Sequence, residues 1–280
     1  MSKRTHSDIG DKQMDNPKRA QPIGVFDSGM GGISVLKELY KIMPGEHYIY
    51  FGDSKNAPYG TKPLEEIRRL TIRNVEFLLE QGAKGIVVAC NTATAAAVRI
   101  LRTLHPDIPL VGIEPAIKPA ALQPGHPTIL VMATPMTIQG KKYKNLMANY
   151  EAQAEIIGLP CPGLVEFVES GNTDGDDLRA FLENLLAPYA GTIDSIVLGC
   201  THYPFVRRLI QEIAGEHVQI FDGGFGTARE MRRRLEEAGL LSENTKDGIV
   251  TFENSLAKEE EIELSKTLFQ KKTHTFRINY

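Results

Sequence analysis

The sequence runs to 280 residues, enough for one large domain or two modest ones. Its 42% hydrophobic and 24% charged residues give the balance of a water-soluble globular chain, and a formal net charge of -3 gives no reason to expect nucleic acid as a partner. No apolar run approaches the roughly 18 residues that span a bilayer, and the polar start lacks the apolar stretch of a secretory signal, so the chain is read as cytoplasmic with no membrane partner.

Residues 1–21 are polar and show no hydrophobic period, which predicts a flexible arm. Strands and helices then alternate. IGVFD (23–27) is an apolar run ending in an acid, followed by the small-residue turn SGMGG and a helical stretch over 33–43. HYIYFGD (47–53) is the next strand, and a helix over 63–82 starts at a proline and ends at a glycine. GIVVAC (85–90), a helix over 92–105 and PLVGI (109–113) follow. Further on come strands at 128–134, 154–160, 195–200 and 218–222, with helices at 176–189, 204–215 and 227–240. IVTFE (249–253) and HTFRINY (274–280) read as edge strands around a short helix. Short apolar strands alternating with amphipathic helices predict α/β sheets covered on both faces.

Three cysteines, Cys90, Cys161 and Cys200, are too few for a disulfide framework and have no Cys-x-x-Cys spacing for zinc. Cys161, in LPCPG, has nothing reactive beside it and reads as a small buried residue. The other two sit in matching frames, IVVACNTAT (86–94) and IVLGCTHYP (196–204): an apolar strand, a small residue, a cysteine, then polar residues leading toward a helix. Open α/β sheets bind ligands at the carboxyl ends of their strands. Two such units facing one another with a pseudo-two-fold relation would place Cys90 and Cys200 on either side of one cleft.

Two opposed thiols suit racemisation. One removes the proton on carbon α and the other returns a proton to the opposite face. A thiol with an ordinary pKa of about 8.5 can serve as thiolate or thiol near neutral pH, and a helix N-terminus after each cysteine would favour the thiolate. Asp27, at the end of the first strand beside a glycine turn, and His202, two residues after Cys200, are candidates to tune them. Structural alternatives stand beside these readings: Asp27 as a helix cap, His202 as a hydrogen-bonded core residue, and Gly29, Gly31 and Gly32 as a tight turn. The same glycines lack the third small residue of a dinucleotide fingerprint, and there is no phosphate loop. Nothing calls for NAD, ATP, pyridoxal phosphate or a metal, so no cofactor is expected.

FDSGMGGISVL (26–36), FGDSKNAPYG (51–60), VVACNTATA (87–95), GIEPAIKPA (112–120), CPGLVEFVESG (161–171) and VLGCTHYPFV (197–206) together resemble the glutamate racemases of the aspartate/glutamate racemase superfamily, in family order and over almost all of the chain after the arm. The resemblance implies two similar α/β domains with the active site in the cleft between them, one holding 22–113 and the chain from 222 to 280, the other 114–221. It implies catalysis by Cys90 on the D-enantiomer and Cys200 on the L-enantiomer, with Asp27 assisting Cys90, and His202 and Glu169 assisting Cys200. Glutamate would be held by Ser28, Tyr59, Gly60, Asn91, Thr92 and Thr201, with Asp27 and His202 also within reach of it. The family supplies D-glutamate for peptidoglycan. The resemblance also allows a homodimer and activation by a cell-wall precursor, for which residues 1–21 contain no binding motif.

The chain departs from the family pattern at Glu166, where proline is usual, at Met136, where glycine is usual and a bulkier residue is expected to reshape the pocket, and in the glycine-rich FDGGFGTARE (221–230). Three other functions compete: a racemase for aspartate or another amino acid, a thiol redox protein, and a non-catalytic binder on the same fold.

Overall fold

The structure, a computed structural model, describes residues 16–271. Strand β1 (Ile23–Asp27) is buried along its whole length, and α1 (Ile33–Ile42) returns over it with Ile33, Val35, Leu36 and Leu39 turned inward. β2 (Tyr48–Gly52) leads through 3-10 turns at Ser54–Asn56 and Tyr59–Thr61 into α2 (Leu64–Glu80), which carries Glu65 and Glu66 at its positive end and stops before Gly82, at φ +84°. β3 (Gly85–Val88), α3 (Asn91–Leu104) and β4 (Leu110–Gly112) follow.

The chain then leaves this sheet through α4 (Ile117–Ala121) and builds β5 (Thr128–Ala133), α5 (Pro135–Gln139), α6 (Lys141–Ala148), β6 (Glu155–Pro160), α7 (Leu164–Glu169), α8 (Asp176–Leu186), β7 (Ser195–Leu198), α9 (Arg207–Ala214) and β8 (Gln219–Asp222). It returns with α10 (Gly224–Glu237), which packs on α1, then β9 (Val250–Asn254), which pairs with β2, and α11 (Glu259–Gln270).

Among the described residues all strand pairs are parallel, in two sheets ordered β4-β3-β1-β2-β9 and β6-β5-β7-β8. Read from its other edge, the second sheet is β8-β7-β5-β6, so both repeat one plan: a first strand flanked by the second and third, with the fourth outside the third. The internal echo in the sequence is therefore a repeat of topology, and it makes β3 and β7 equivalent strands. In each sheet the order reverses beside the first strand, between β1 and β3 and between β5 and β7, which is where open α/β sheets place their ligands. Each sheet has two core clusters: Val25 and Leu36 belong to one and Phe26 and Ile86 to the other in the first sheet, as Leu130 and Ile196, and Ile129 and Val131, do in the second.

Several expectations meet a different structure. The arm was expected to run to residue 21, yet Pro17–Ala20 form a 3-10 turn capped by Asn16, and Arg19 Nε donates to the Gly239 carbonyl at 3.0 Å. Proline at the first position pre-forms that turn. The helix expected from 204 begins as a 3-10 turn, Tyr203–Val206, and becomes α-helical at Arg207; the one expected from 227 begins at Gly224. Helices α4 to α7 were not read from the sequence, because each is eight residues or shorter and gives too few turns for an apolar period. The edge strand expected at 274–280 and most of the arm lie outside the described residues. Among those residues no helix is long and apolar enough to cross a membrane.

Candidate active site

Cys90 follows β3 and forms the N-cap of α3, where its Sγ accepts from the Ala93 amide at 3.4 Å and from the Ser28 hydroxyl at 3.4 Å. Cys200 stands at the same point after β7. Both are buried free thiols on the wall of one cavity between the two sheets. That wall also carries Ser28, Tyr59, Gly60, Asn91 and Thr92 from the first sheet, and Glu169, Thr201 and His202 from the second. Every residue singled out for the site thus lines it except Asp27, which lies fully buried at the end of β1. Asp27 reaches the site indirectly: its carboxylate accepts from the Gly29 amide at 3.0 Å and from the Thr201 hydroxyl at 3.1 Å, joining the two sheets.

A chain of contacts supports Cys200. His202 Nδ1 lies 3.7 Å from its Sγ, His202 Nε2 donates to Glu169 Oε1 at 2.5 Å, and the Met30 amide donates to the same oxygen at 2.9 Å. Burial alone would lower the proton affinity of His202, but its hydrogen bonds to Cys200 and Glu169 and their charges lift its pKa well above the ordinary value. Burial likewise opposes ionisation of Glu169, and the His202 hydrogen bond and charge with the Met30 amide outweigh it, leaving Glu169 below the usual carboxylate range. Glu166, one turn earlier on α7, is exposed and does not line the cavity. The extra acid therefore does not compete with Glu169.

Cys90 has the opposite surroundings. Burial, then the charge of Asp27, push its thiol up to about 12 against the Ser28 and Ala93 donors. The expected gain from the helix N-terminus is present as the Ala93 contact but loses to desolvation. Asp27 is itself raised by burial, against His202, the Gly29 amide and the Thr201 hydroxyl. One side of the cavity thus favours a neutral thiol, and the other sets a cation beside sulfur.

The glycine turn after β1 has a role that its sequence did not disclose. None of Gly29, Gly31 and Gly32 has positive φ, so the turn itself does not demand glycine. Their close neighbours do. A Cβ on Gly29 would fall 2.1 Å from Glu169 Oε1, one on Gly31 2.4 Å from His202 Nδ1, and one on Gly32 2.6 Å from the Asp27 Cβ. The missing side chains let the His202–Glu169 pair of the second sheet sit against the first.

Thr134, Thr137 and Val165 also line the cavity and were not assigned from the sequence. Thr134 and Thr137 follow β5, the strand equivalent to β1, so the repeat itself was the signal that could have found them. Their hydroxyls lie 3.0 Å apart, and Thr92 Oγ1 of the first sheet is 3.3 Å from Thr134 Oγ1. Asn91 Oδ1 is buried without a hydrogen-bond partner among the described residues, an acceptor suited to an ammonium group. Met136 does not line the cavity; it is half-buried against the core of the first sheet, a cluster that includes Tyr59 and Cys90. Cys161 is buried in the second core, its thiol donating to the Leu159 carbonyl at 3.3 Å. Among the described residues no group of three or more His, Cys, Asp and Glu side chains converges as a metal site.

Residues 23–230 match the family model described as Asp/Glu/Hydantoin racemase. The chain belongs to that family. It is 52% identical over 258 residues to glutamate racemase from Clostridium perfringens, covering 92% of this chain and 99% of that one. Among solved structures of the family, it resembles glutamate racemase from Francisella tularensis in complex with D-glutamate (TM-score 0.78, 29% identity, 91% of this chain and 96% of that one). It also resembles Escherichia coli glutamate racemase in complex with L-glutamate and the activator UDP-MurNAc-ala (TM-score 0.78, 30% identity, 89% and 94%).

The cavity that holds both cysteines is not the larger hollow. That groove, of about 1330 Å³, lies where the chain crosses between the sheets and is lined by Arg102, Glu114, Arg207, Asp222 and Gly223 among others, with no cysteine. The cavity between the cysteines measures only about 20 Å³, space for a single water. That space is smaller than an amino acid, so the wall must rearrange to admit one.

Proposed function

We propose that this protein interconverts L- and D-glutamate without a cofactor, using Cys90 and Cys200 as opposed acid–base groups. The observation that carries this reading is that both thiols open onto one cavity from equivalent strand ends of a repeated sheet. Cys200 as thiolate takes the α proton of L-glutamate while Cys90 as thiol protonates the opposite face; D-glutamate reverses the roles. The high proton affinity of Cys90 suits its neutral form, and the His202 cation 3.7 Å from Cys200 suits an anion there. Asp27 assists on the Cys90 side, and Glu169 holds His202 on the other. Ser28, Asn91, Thr92 and Thr201, with the backbone of Tyr59 and Gly60, supply donors and acceptors for the two carboxylates and the ammonium.

Two units carry this site, 22–113 with 222–280 and 114–221, a division supported by the two sheets. The reading places the enzyme in the cytoplasm, where three free thiols stay reduced, and gives it the supply of D-glutamate for peptidoglycan. It extends to activation by a cell-wall precursor and to a homodimer. The groove at the crossing supports the activator: it is large enough for a nucleotide sugar and carries Arg102 for its phosphates. Titration with UDP-MurNAc-alanine tests this.

The main test is incubation with L-glutamate in deuterated water without added cofactor, following circular dichroism and deuterium at carbon α. Loss of optical activity with deuterium in both enantiomers is expected, and Cys90→Ser and Cys200→Ser should each abolish racemisation. Racemisation of aspartate but not glutamate would replace the substrate and keep the mechanism. No α-proton exchange with any amino acid, even with the precursor present, would overturn the enzyme.

A further inference from the structure

Tyr59 lines the cavity, yet its hydroxyl is committed elsewhere: it donates to Asp53 Oδ2 at 2.6 Å. Asp53 is fully buried just past the end of β2. Its carboxylate also accepts from Asn74 Nδ2 on α2 at 2.9 Å and from Asn56 Nδ2 at 2.9 and 3.1 Å, and Arg73 Nη2 stands 3.6 Å away. Asn74 Nδ2 further donates to the Tyr59 hydroxyl at 3.2 Å. The Asp53 amide donates to the Asp27 carbonyl at 3.0 Å, one step beyond the paired ends of β1 and β2. One residue therefore holds both the strand end that precedes Ser28 and the loop that presents Tyr59 and Gly60.

We propose that Asp53 is a positioning residue for substrate, fixing the Tyr59–Gly60 wall of the cavity through the Tyr59 hydroxyl and tying that wall to Asp27. The proposal rests on the racemase reading above. The wall has little freedom to settle elsewhere, since a Cβ on Gly60 would already fall 3.0 Å from the Thr134 Cβ of the second sheet. Its position sets how closely the two halves of the cavity approach. The chemistry of the node demands a carboxylate. Tyr59, Asn74 and Asn56 all direct donors at it, and a carboxylate only accepts. An amide at this position sets two N–H groups among those donors and must give up a contact to Tyr59 or Asn74. A shift of about 1 Å in a positioning group costs on the order of 100-fold in rate.

The test measures kcat and KM with both glutamate enantiomers, and the thermal midpoint, for wild type, Asp53→Asn, Tyr59→Phe and the double variant. Asp53→Asn should raise KM at least about tenfold and lower kcat/KM by roughly 10- to 100-fold. Tyr59→Phe keeps the ring and backbone and should raise KM in the same direction. The double variant should be no worse in KM than Asp53→Asn alone, because both changes cut one connection. A folded Asp53→Asn enzyme with wild-type KM and a lowered thermal midpoint would show a purely structural residue and overturn the proposal. So would multiplicative losses in the double variant. If Asp53→Asn does not fold, Tyr59→Phe decides alone, and a wild-type KM there overturns the proposal. Wild-type protein that racemises no amino acid overturns the underlying reading and this proposal with it, whereas wild-type racemisation with an unaffected Asp53→Asn overturns only the positioning role.

Discussion

Replacing Glu169 by Gln probes the support of Cys200 most directly. The amide keeps the size of the side chain and can still accept from the Met30 amide, but it removes the negative charge beside His202 Nε2. His202 owes its raised proton affinity to Cys200 and Glu169 together, overcoming burial. Without Glu169 its pKa falls, so the ring becomes neutral as pH rises through a lower value. A cation 3.7 Å from a thiolate at Cys200 is worth about 4 kcal/mol at an effective dielectric of about 20, which corresponds to roughly 1000-fold in rate if it is lost completely. The expected outcome is a pH-dependent defect that grows toward the roughly 1000-fold limit as pH rises, because without Glu169 the His202 ring loses its proton at a lower pH than in the wild type. The two enantiomers have equal free energy in water, so kcat/KM must fall equally in both directions, and any asymmetry appears only in kcat and KM separately. Circular dichroism with each enantiomer across a range of pH measures this. A variant with wild-type kcat/KM throughout, or with a loss of one size at every pH, would refute the role given to the His202–Glu169 charge.

Gly31→Ala should nearly abolish racemisation while leaving a folded protein, because the new methyl group occupies the place of the His202 ring; an active variant would show that His202 can act from elsewhere. Asp27→Asn should lower racemisation and raise stability at neutral pH. The folded pKa of Asp27 lies above its ordinary value of 3.8, so the wild type loses stability as pH climbs from there to the folded value, and the amide does not; a lower unfolding midpoint for the variant at pH 7 contradicts this. Lys84→Met strands the buried carboxylate of Glu46, whose Oε2 lies 2.5 Å from Lys84 Nζ, and should cost about 3–5 kcal/mol in denaturant unfolding. A loss below about 1 kcal/mol would show that the pair is not needed.

The alternation of strands and helices was legible because the buried parallel strands are short apolar runs and the longer helices repeat their apolar residues at helical spacing. The paired cysteines were legible because the fold repeats: Cys90 and Cys200 stand at equivalent strand ends, and similar local sequence is needed to build each. The partners of His202 were not legible from spacing. Glu169 lies 33 residues away and Met30 on the other sheet, and only the packing of α7 against the glycine turn brings them together. Resemblance to a family supplied Glu169, and the nearby Glu166, an acid where the family has proline, is directed outward by the helical turn of α7. Gly31 shows the limit most clearly, since its sequence context suggests a turn and its actual demand comes from a ring on the other sheet.

The chain passes between the sheets twice, after β4 and after β8, and the two passages touch: a Cβ on Gly223 would lie 2.4 Å from the Glu114 carbonyl oxygen. A single tether would let the halves swivel, slide and twist. Two tethers side by side resist all of these except rotation about the line that joins them, where neither is stretched. The crossing would then serve as the pivot for any such rotation, once the Thr201–Asp27 and Met30–Glu169 contacts across the cleft give way. No residue of the cavity wall belongs to that crossing, so a rotation there would carry the two thiols apart while leaving the side chains around each of them in place.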